Sequence, residues 1–223
     1  MKKVTLIGDC HSARVLEHHN PESCPVIFQS WGKGGTNAWQ TDPFVWAKEN
    51  HQSAGTEDIP LHILANFETK MYFKDIKDQD LILPWLGYVD IRQMLPGHND
   101  ADFVVKQYVD RFVKYFAGSE VRFIEPHPQF IPLFMKFPGL HPEYTFEQRL
   151  EQNNTFIESL RKYSDEHGLK KPISQEQIFE AMGFGQDEMT EDKTDQPGPH
   201  PFDKLKKKYV AKIYELIISE AAK

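Results

Sequence analysis

A chain of 223 residues, 39% hydrophobic and 13% aromatic, can bury one substantial core, and its aromatic share argues against disorder. Its formal net charge of −7 disfavours a general nucleic-acid binder, which needs a basic face to gather phosphates. No stretch approaches the roughly 18–20 apolar residues of a membrane span, and the apolar part of the opening MKKVTLIGD is too short for a signal peptide.

The expectation is one soluble α/β domain over residues 1–223, cytoplasmic, with no membrane span. The two cysteines, Cys10 and Cys24, fit no zinc or thioredoxin spacing, so no metal and no cofactor is expected.

Val4–Ile7 is a short β-branched apolar run ending on Gly8, which predicts a buried strand. His11–His19 follows as a first helix, stopped before Asn20-Pro21. Pro25–Gln29 is a second strand, Trp31–Asn37 a glycine-rich loop and Ala38–Glu49 a helix with Pro43 near its first turn. His62–Ala65 is a third apolar run. Asp80–Leu86 is a stronger one, with Pro84 marking a stop or bulge at the following loop.

Asp100–Phe116 carries Phe103, Val104, Gln107, Tyr108, Phe112, Val113 and Phe116 at helical spacing, behind Asn99 or Asp100 as a cap. Val121–Glu125 is the next strand, closed by Pro126-His127-Pro128. Residues 128–145, rich in Phe and Pro, have no regular period and form a candidate lid or insertion. Tyr144–His167 reads as a long polar helix ended by Gly168, and Gln175–Met182 as a shorter helix. Asp187–Pro201 reads as a polar loop. Phe202–Ala222 is a last helix with Leu205, Tyr209, Ile213, Leu216 and Ile217 along one side. The basic run Lys204–Lys208 reads as the solvated face of that helix.

Strands alternating with helices imply a parallel sheet covered on both faces, with ligands at the carboxyl ends of the strands. That edge would carry Gly8-Asp9-Cys10-His11, the Gly32–Thr36 loop, Gly87–Arg92 and Glu125–His127. Cys10, at a strand-to-helix turn, is either a nucleophile exposed at the sheet edge or simply a small buried residue after a strand. The helix N-terminus and a nearby imidazole would raise its thiolate fraction.

These blocks resemble those of SGNH/GDSL-type hydrolases, which carry a GDS, a loop glycine, a GxND and a late DxxH. Gly8-Asp9-Cys10 matches the first with Cys10 in the serine position. Gly32-Lys33-Gly34-Gly35-Thr36 resembles the second; Gly34 and Gly35 both qualify for the oxyanion hole. Gly87–Arg92, GYVDIR, resembles a branch with a G-x-(aliphatic)-D-x-R third block. His200-Pro201 falls where the family places its catalytic histidine.

The resemblance implies a three-layer α/β/α sandwich with a mostly parallel flavodoxin-like sheet. It also implies ester hydrolysis or acyl transfer on a small-molecule, carbohydrate or lipid ester. Cys10 would be the nucleophile, His200 the base and Asp195 the orienting acid, with Asp9, His11, Gly34, Gly35, Asp90 and Arg92 lining the site. Three departures bear on activity. Cys10 replaces serine, Val89 replaces a donor asparagine, and Pro197 stands where an acid is expected three residues before His200. Arg92 is a candidate replacement for the missing donor, or else the partner of Asp90 or Asp9. Asp9 is also suited to holding its turn by accepting backbone N–H groups.

The competing readings are a non-catalytic binding or structural protein on the same fold and a metal-dependent phosphoesterase using Asp9, His11, Asp90, His127 and His200. His18 and His19 read as surface residues, and Trp31, Trp39 and Trp85 as core or rim packing.

Overall fold

The computed structural model describes residues 1–8, 14–32, 76, 78–87, 91, 100–126, 145–183 and 207–223. Four strands lie within these: β1 (Lys3–Gly8), β2 (Ile27–Gly32), β3 (Leu81–Trp85) and β4 (Glu120–Val121). They form a parallel sheet in the order β2-β1-β3-β4. Beyond β4, Ile124 pairs in parallel with Ile173, so the chain continues the sheet outward by one short edge segment. This is the beginning of a flavodoxin-like order, as expected.

The strand sequences explain why the sheet is buried on both sides. In β1, Val4 through Ile7 are all buried, the pattern of a parallel strand covered by helices on each face. Alternation divides them. Val4 and Leu6 join Phe28, Leu81, Leu83 and Ile173 on one face, while Ile7, Ile82 and Phe123 lie on the other.

Two helices cover the second face: α1 (Ala101–Tyr115) and α2 (Phe146–Glu166). Two more, α3 (Gln175–Met182) and α4 (Lys207–Ala222), cover the first. The architecture is therefore the three-layer α/β/α sandwich implied by the sequence.

Local chemistry sets the helix starts. Asp100 Oδ1 accepts the Phe103 N–H at 3.0 Å. Thr145 with Gln148, and Ser174 with Gln177, form reciprocal capping boxes at α2 and α3. Gly183 ends α3 in the left-handed region at φ 79°. Tyr108 of α1 meets Phe112 and Phe123 edge-on, each pair 5.0 Å between ring centroids, which anchors this helix to the sheet.

The structure moves several boundaries. β2 begins at Ile27 rather than Pro25, because the Ile27 N–H to the Lys2 carbonyl at 2.9 Å is the first inter-strand bond and Pro25 has no N–H to give. It runs on through Trp31-Gly32, paired with Ile7-Gly8, where a loop is expected from composition. Of the helix expected over His11–His19, Arg14–Leu16 are helical among the described residues, followed by i+3 turns up to His19. On α1, Phe103 is 46% exposed, and Val105 and Val109 are buried in its place.

Pro84 sits inside β3 rather than ending it. Its carbonyl accepts the Ile124 N–H at 2.9 Å, so the absent Pro84 N–H falls on the β4 side and leaves the β1 ladder intact. That missing donor explains why β4 is regular for only Glu120–Val121 although Ile124 still pairs beyond it. The expected elements at Ala38–Glu49, His62–Ala65, 128–144 and Asp187–Pro201 lie outside the described residues.

Candidate active site

In an open parallel sheet, ligands bind beyond the carboxyl ends of strands where the winding direction reverses. Here β1 connects to β2 on one side and has β3 on the other, so the reversal lies between β1 and β3. The sheet register puts Gly8, the last residue of β1, opposite both Gly32 of β2 and Trp85 of β3. The first, second and third sequence blocks thus leave the sheet from neighbouring strand ends. The residues those ends would present, Asp9, Cys10, His11, Gly34, Gly35, Asp90 and Arg92, lie outside the described residues, as do Asp195, His200 and His127.

The described frame explains the third block's glycine. Gly87 adopts φ 110°, a conformation that favours glycine. A Cβ there would lie 2.5 Å from Phe156 Cζ and 2.8 Å from Pro126 Cγ. Gly87 is therefore the point where the exits of β3 and β4 and the buried face of α2 meet. The Ile91 N–H returns to the Gly87 carbonyl at 3.0 Å, and Ile91 is buried.

The exit of β4 is held by a buried polar network. Glu125 is fully buried, and its carboxylate accepts Arg161 Nε at 2.6 Å, Arg161 Nη2 at 3.1 Å and the Gln175 N–H at 2.7 Å. Its backbone carbonyl accepts Trp85 Nε1 at 3.0 Å, and the Pro126 carbonyl accepts Gln175 Nε2 at 2.9 Å. Strand β3 and helices α2 and α3 thus grip two consecutive residues.

Burial pushes the Glu125 carboxyl above its usual range, while Arg161 and the Gln175 N–H pull it back. Glu125 in turn holds the Arg161 guanidinium up, with Glu176 as a second carboxylate 3.0 Å from Nη2.

Arg161→Met leaves that carboxylate buried without its cation. Breaking a fully buried pair costs about 3–5 kcal/mol; with the Arg161 side chain 45% exposed, a loss of about 2–3 kcal/mol is expected in urea unfolding. A carboxyl whose folded pKa is raised gives stability that is present at low pH and lost as pH climbs above the unfolded value. The deficit should therefore widen from acid pH towards neutrality. A pH-independent deficit would show that Glu125 does not carry the effect.

Sequence reading placed Glu125 at this edge but not the network. Arg161 and Gln175 lie 36 and 50 residues away, on helices whose local pattern carries no mark of an ion pair. Trp85 is core, as expected, with its N–H spent on Glu125. His19 is not a plain surface residue. It is half-buried, packs on Phe28 at 5.5 Å between ring centroids, and its Nδ1 lies 2.9 Å from the Tyr214 hydroxyl. Tyr214 also donates to the buried Cys24 thiol, and burial pushes the Tyr214 hydroxyl up to about 12. The cluster pins residues 19–24 to α4, the last helix, on the first face of the sheet.

Among the described residues no helix is long and apolar enough to cross a membrane. The strand order and the helix layers of the described residues define a three-layer α/β/α fold around a parallel sheet. No protein-family model and no curated protein matches the chain.

Solved structures do match. One is a protein of Bacteroides fragilis proposed as an acylhydrolase, with a TM-score of 0.58 at 14% identity, covering 100% of this chain and 88% of that one. Another is an alpha/beta hydrolase enzyme from the metagenome of Lake Arreo, Spain, with a TM-score of 0.53 at 12% identity, covering 100% and 96%. At these identities the likeness establishes the fold.

Proposed function

We propose that the chain is an SGNH-like ester hydrolase or acyltransferase with Cys10 as nucleophile. The observation that carries this reading is the sheet topology: the Gly8 and Gly87 blocks leave adjacent strands at the reversal point, where such a fold gathers its chemistry. The hydrolase descriptions of both structural neighbours agree with it.

In this reading the Cys10 thiolate attacks the ester carbonyl. His200, oriented by Asp195, takes the thiol proton and gives it to the leaving alcohol; the acyl group left as a thioester on Cys10 is then removed by water or an acceptor alcohol, whose proton His200 returns to the thiolate. The N–H groups of Cys10 and of Gly34 or Gly35 receive the oxyanion, with Arg92 supplying the charge that Val89 cannot. Asp9 holds the turn, while His11 and Asp90 line the pocket. The substrate is a small-molecule, carbohydrate or lipid ester, and no cofactor takes part.

Alkylation by iodoacetamide at pH 6 tests the nucleophile. A thiolate stabilised by a helix N-terminus and an imidazole should react about tenfold faster than a free peptide thiol, after allowing for its lower intrinsic nucleophilicity. Buried Cys24 serves as the slow internal reference. Cys10 reacting no faster than the peptide would favour a non-catalytic protein on the same fold.

A further inference from the structure

A cleft of about 680 Å³ runs beside the outer edge of the sheet between α2, the segment leading to Ile173, and the first turn of α3. None of the residues assigned above to the nucleophilic site lines it. Its distinguishing property is an excess of unused hydrogen-bond donors.

Arg161 spends Nε and Nη2 on Glu125 and Glu176, which leaves Nη1. Arg122 spends Nε on the Lys171 carbonyl and Nη2 on Glu220, again leaving Nη1. The Lys171 ammonium has no carboxylate partner among the described residues. The Ser164 hydroxyl, on a residue only 1% exposed, has no hydrogen-bond partner among the described residues.

On the acceptor side, Glu125 and Glu176 are already consumed by Arg161. Only the Asp165 carboxylate lines the cleft without a partner among the described residues. A buried hydroxyl left unpaired costs about 1–3 kcal/mol unless something completes it. Leu169 and Pro172 add an apolar wall.

The geometry points to a binding site for a small organic carboxylic acid. Its carboxylate sits among Lys171, Arg161 Nη1 and the Ser164 hydroxyl, and its aliphatic part lies on Leu169 and Pro172. The volume falls in the range of small-molecule sites, whose polar groups fix orientation while apolar walls supply area. Binding would tighten a guanidinium that already clamps the β4 exit, so the acid should also raise stability.

Calorimetric titration of the full chain with sodium hexanoate tests this, with acetate and inorganic phosphate as comparisons. Saturable hexanoate binding is expected, at least about tenfold tighter than acetate or phosphate, because only hexanoate fills both the donor set and the apolar wall. Lys171→Ala and Ser164→Ala should each weaken it about three- to tenfold. Lys171 is exposed and Ser164 gives up no hydrogen bond, so both variants should fold. Absence of saturable hexanoate binding overturns the site, as does wild-type affinity in both variants. Phosphate binding as tightly as hexanoate overturns the assignment of ligand class. Cys10→Ala should bind hexanoate as wild type does, so failure of the catalytic reading leaves this result separate.

Discussion

Gly87→Ala should lower unfolding stability by about 3–5 kcal/mol. The positive φ costs an L-residue about 1–3 kcal/mol, and forcing a methyl into a packed core adds about 1–3 kcal/mol. Neither neighbour can retreat cheaply. Phe156 is buried within the core cluster that includes Tyr163 and Leu160, and the carbonyl of Pro126 is fixed by Gln175. For a chain of this length the loss corresponds to a fall in Tm of roughly 10 °C. Urea denaturation followed by circular dichroism measures it. A loss below about 1 kcal/mol would mean that the turn after β3 is not held against α2.

Cys10→Ala should reduce ester turnover by at least about 10³-fold, and His200→Ala by a similar factor. The double variant should be no worse than either single one, because nucleophile and base act as a unit. That non-additivity is the informative result. Two independent losses would multiply, which would separate His200 from the nucleophile and leave it a merely structural residue. Hydrolysis of p-nitrophenyl acetate supplies the assay. Wild-type turnover in either single variant would remove the nucleophilic assignment. Urea unfolding of each variant, run beside the assay, scores fold and activity separately.

The two predictions probe different parts of one frame. Gly87 is required by close packing among β3, β4 and α2, and its substitution reads the frame itself. Cys10 and His200 are carried by segments that join this frame at Gly8 and ahead of α4, and their substitution reads the chemistry the frame would support. A stable Cys10→Ala protein without turnover, beside a destabilised Gly87→Ala protein, would separate the two.

The sequence alone was sufficient wherever the cause is local. A run of four apolar or β-branched residues ending in glycine marks β1, and a capped amphipathic repeat marks α1 to within one residue at each end. The span of α3 follows from Ser174 and Gln177 at its start and Gly183 at its end. The parallel α/β class follows from the alternation of such segments, and the order of the glycine-bearing blocks was legible for the same reason.

Only the tertiary structure decided which strands are neighbours, and hence that the first and third blocks emerge side by side. It showed that Gly87 is demanded by a side chain on α2, and that Glu125, at the end of an apolar strand, is neutralised by Arg161 from a helix 36 residues later. It also carried β2 through Trp31-Gly32, against a loop-like composition, because β1 offers a hydrogen-bonding partner along its whole length. Local pattern records what a residue's immediate neighbours require. Pairing, close approach and buried charge depend on partners far away in the chain, which only folding brings together.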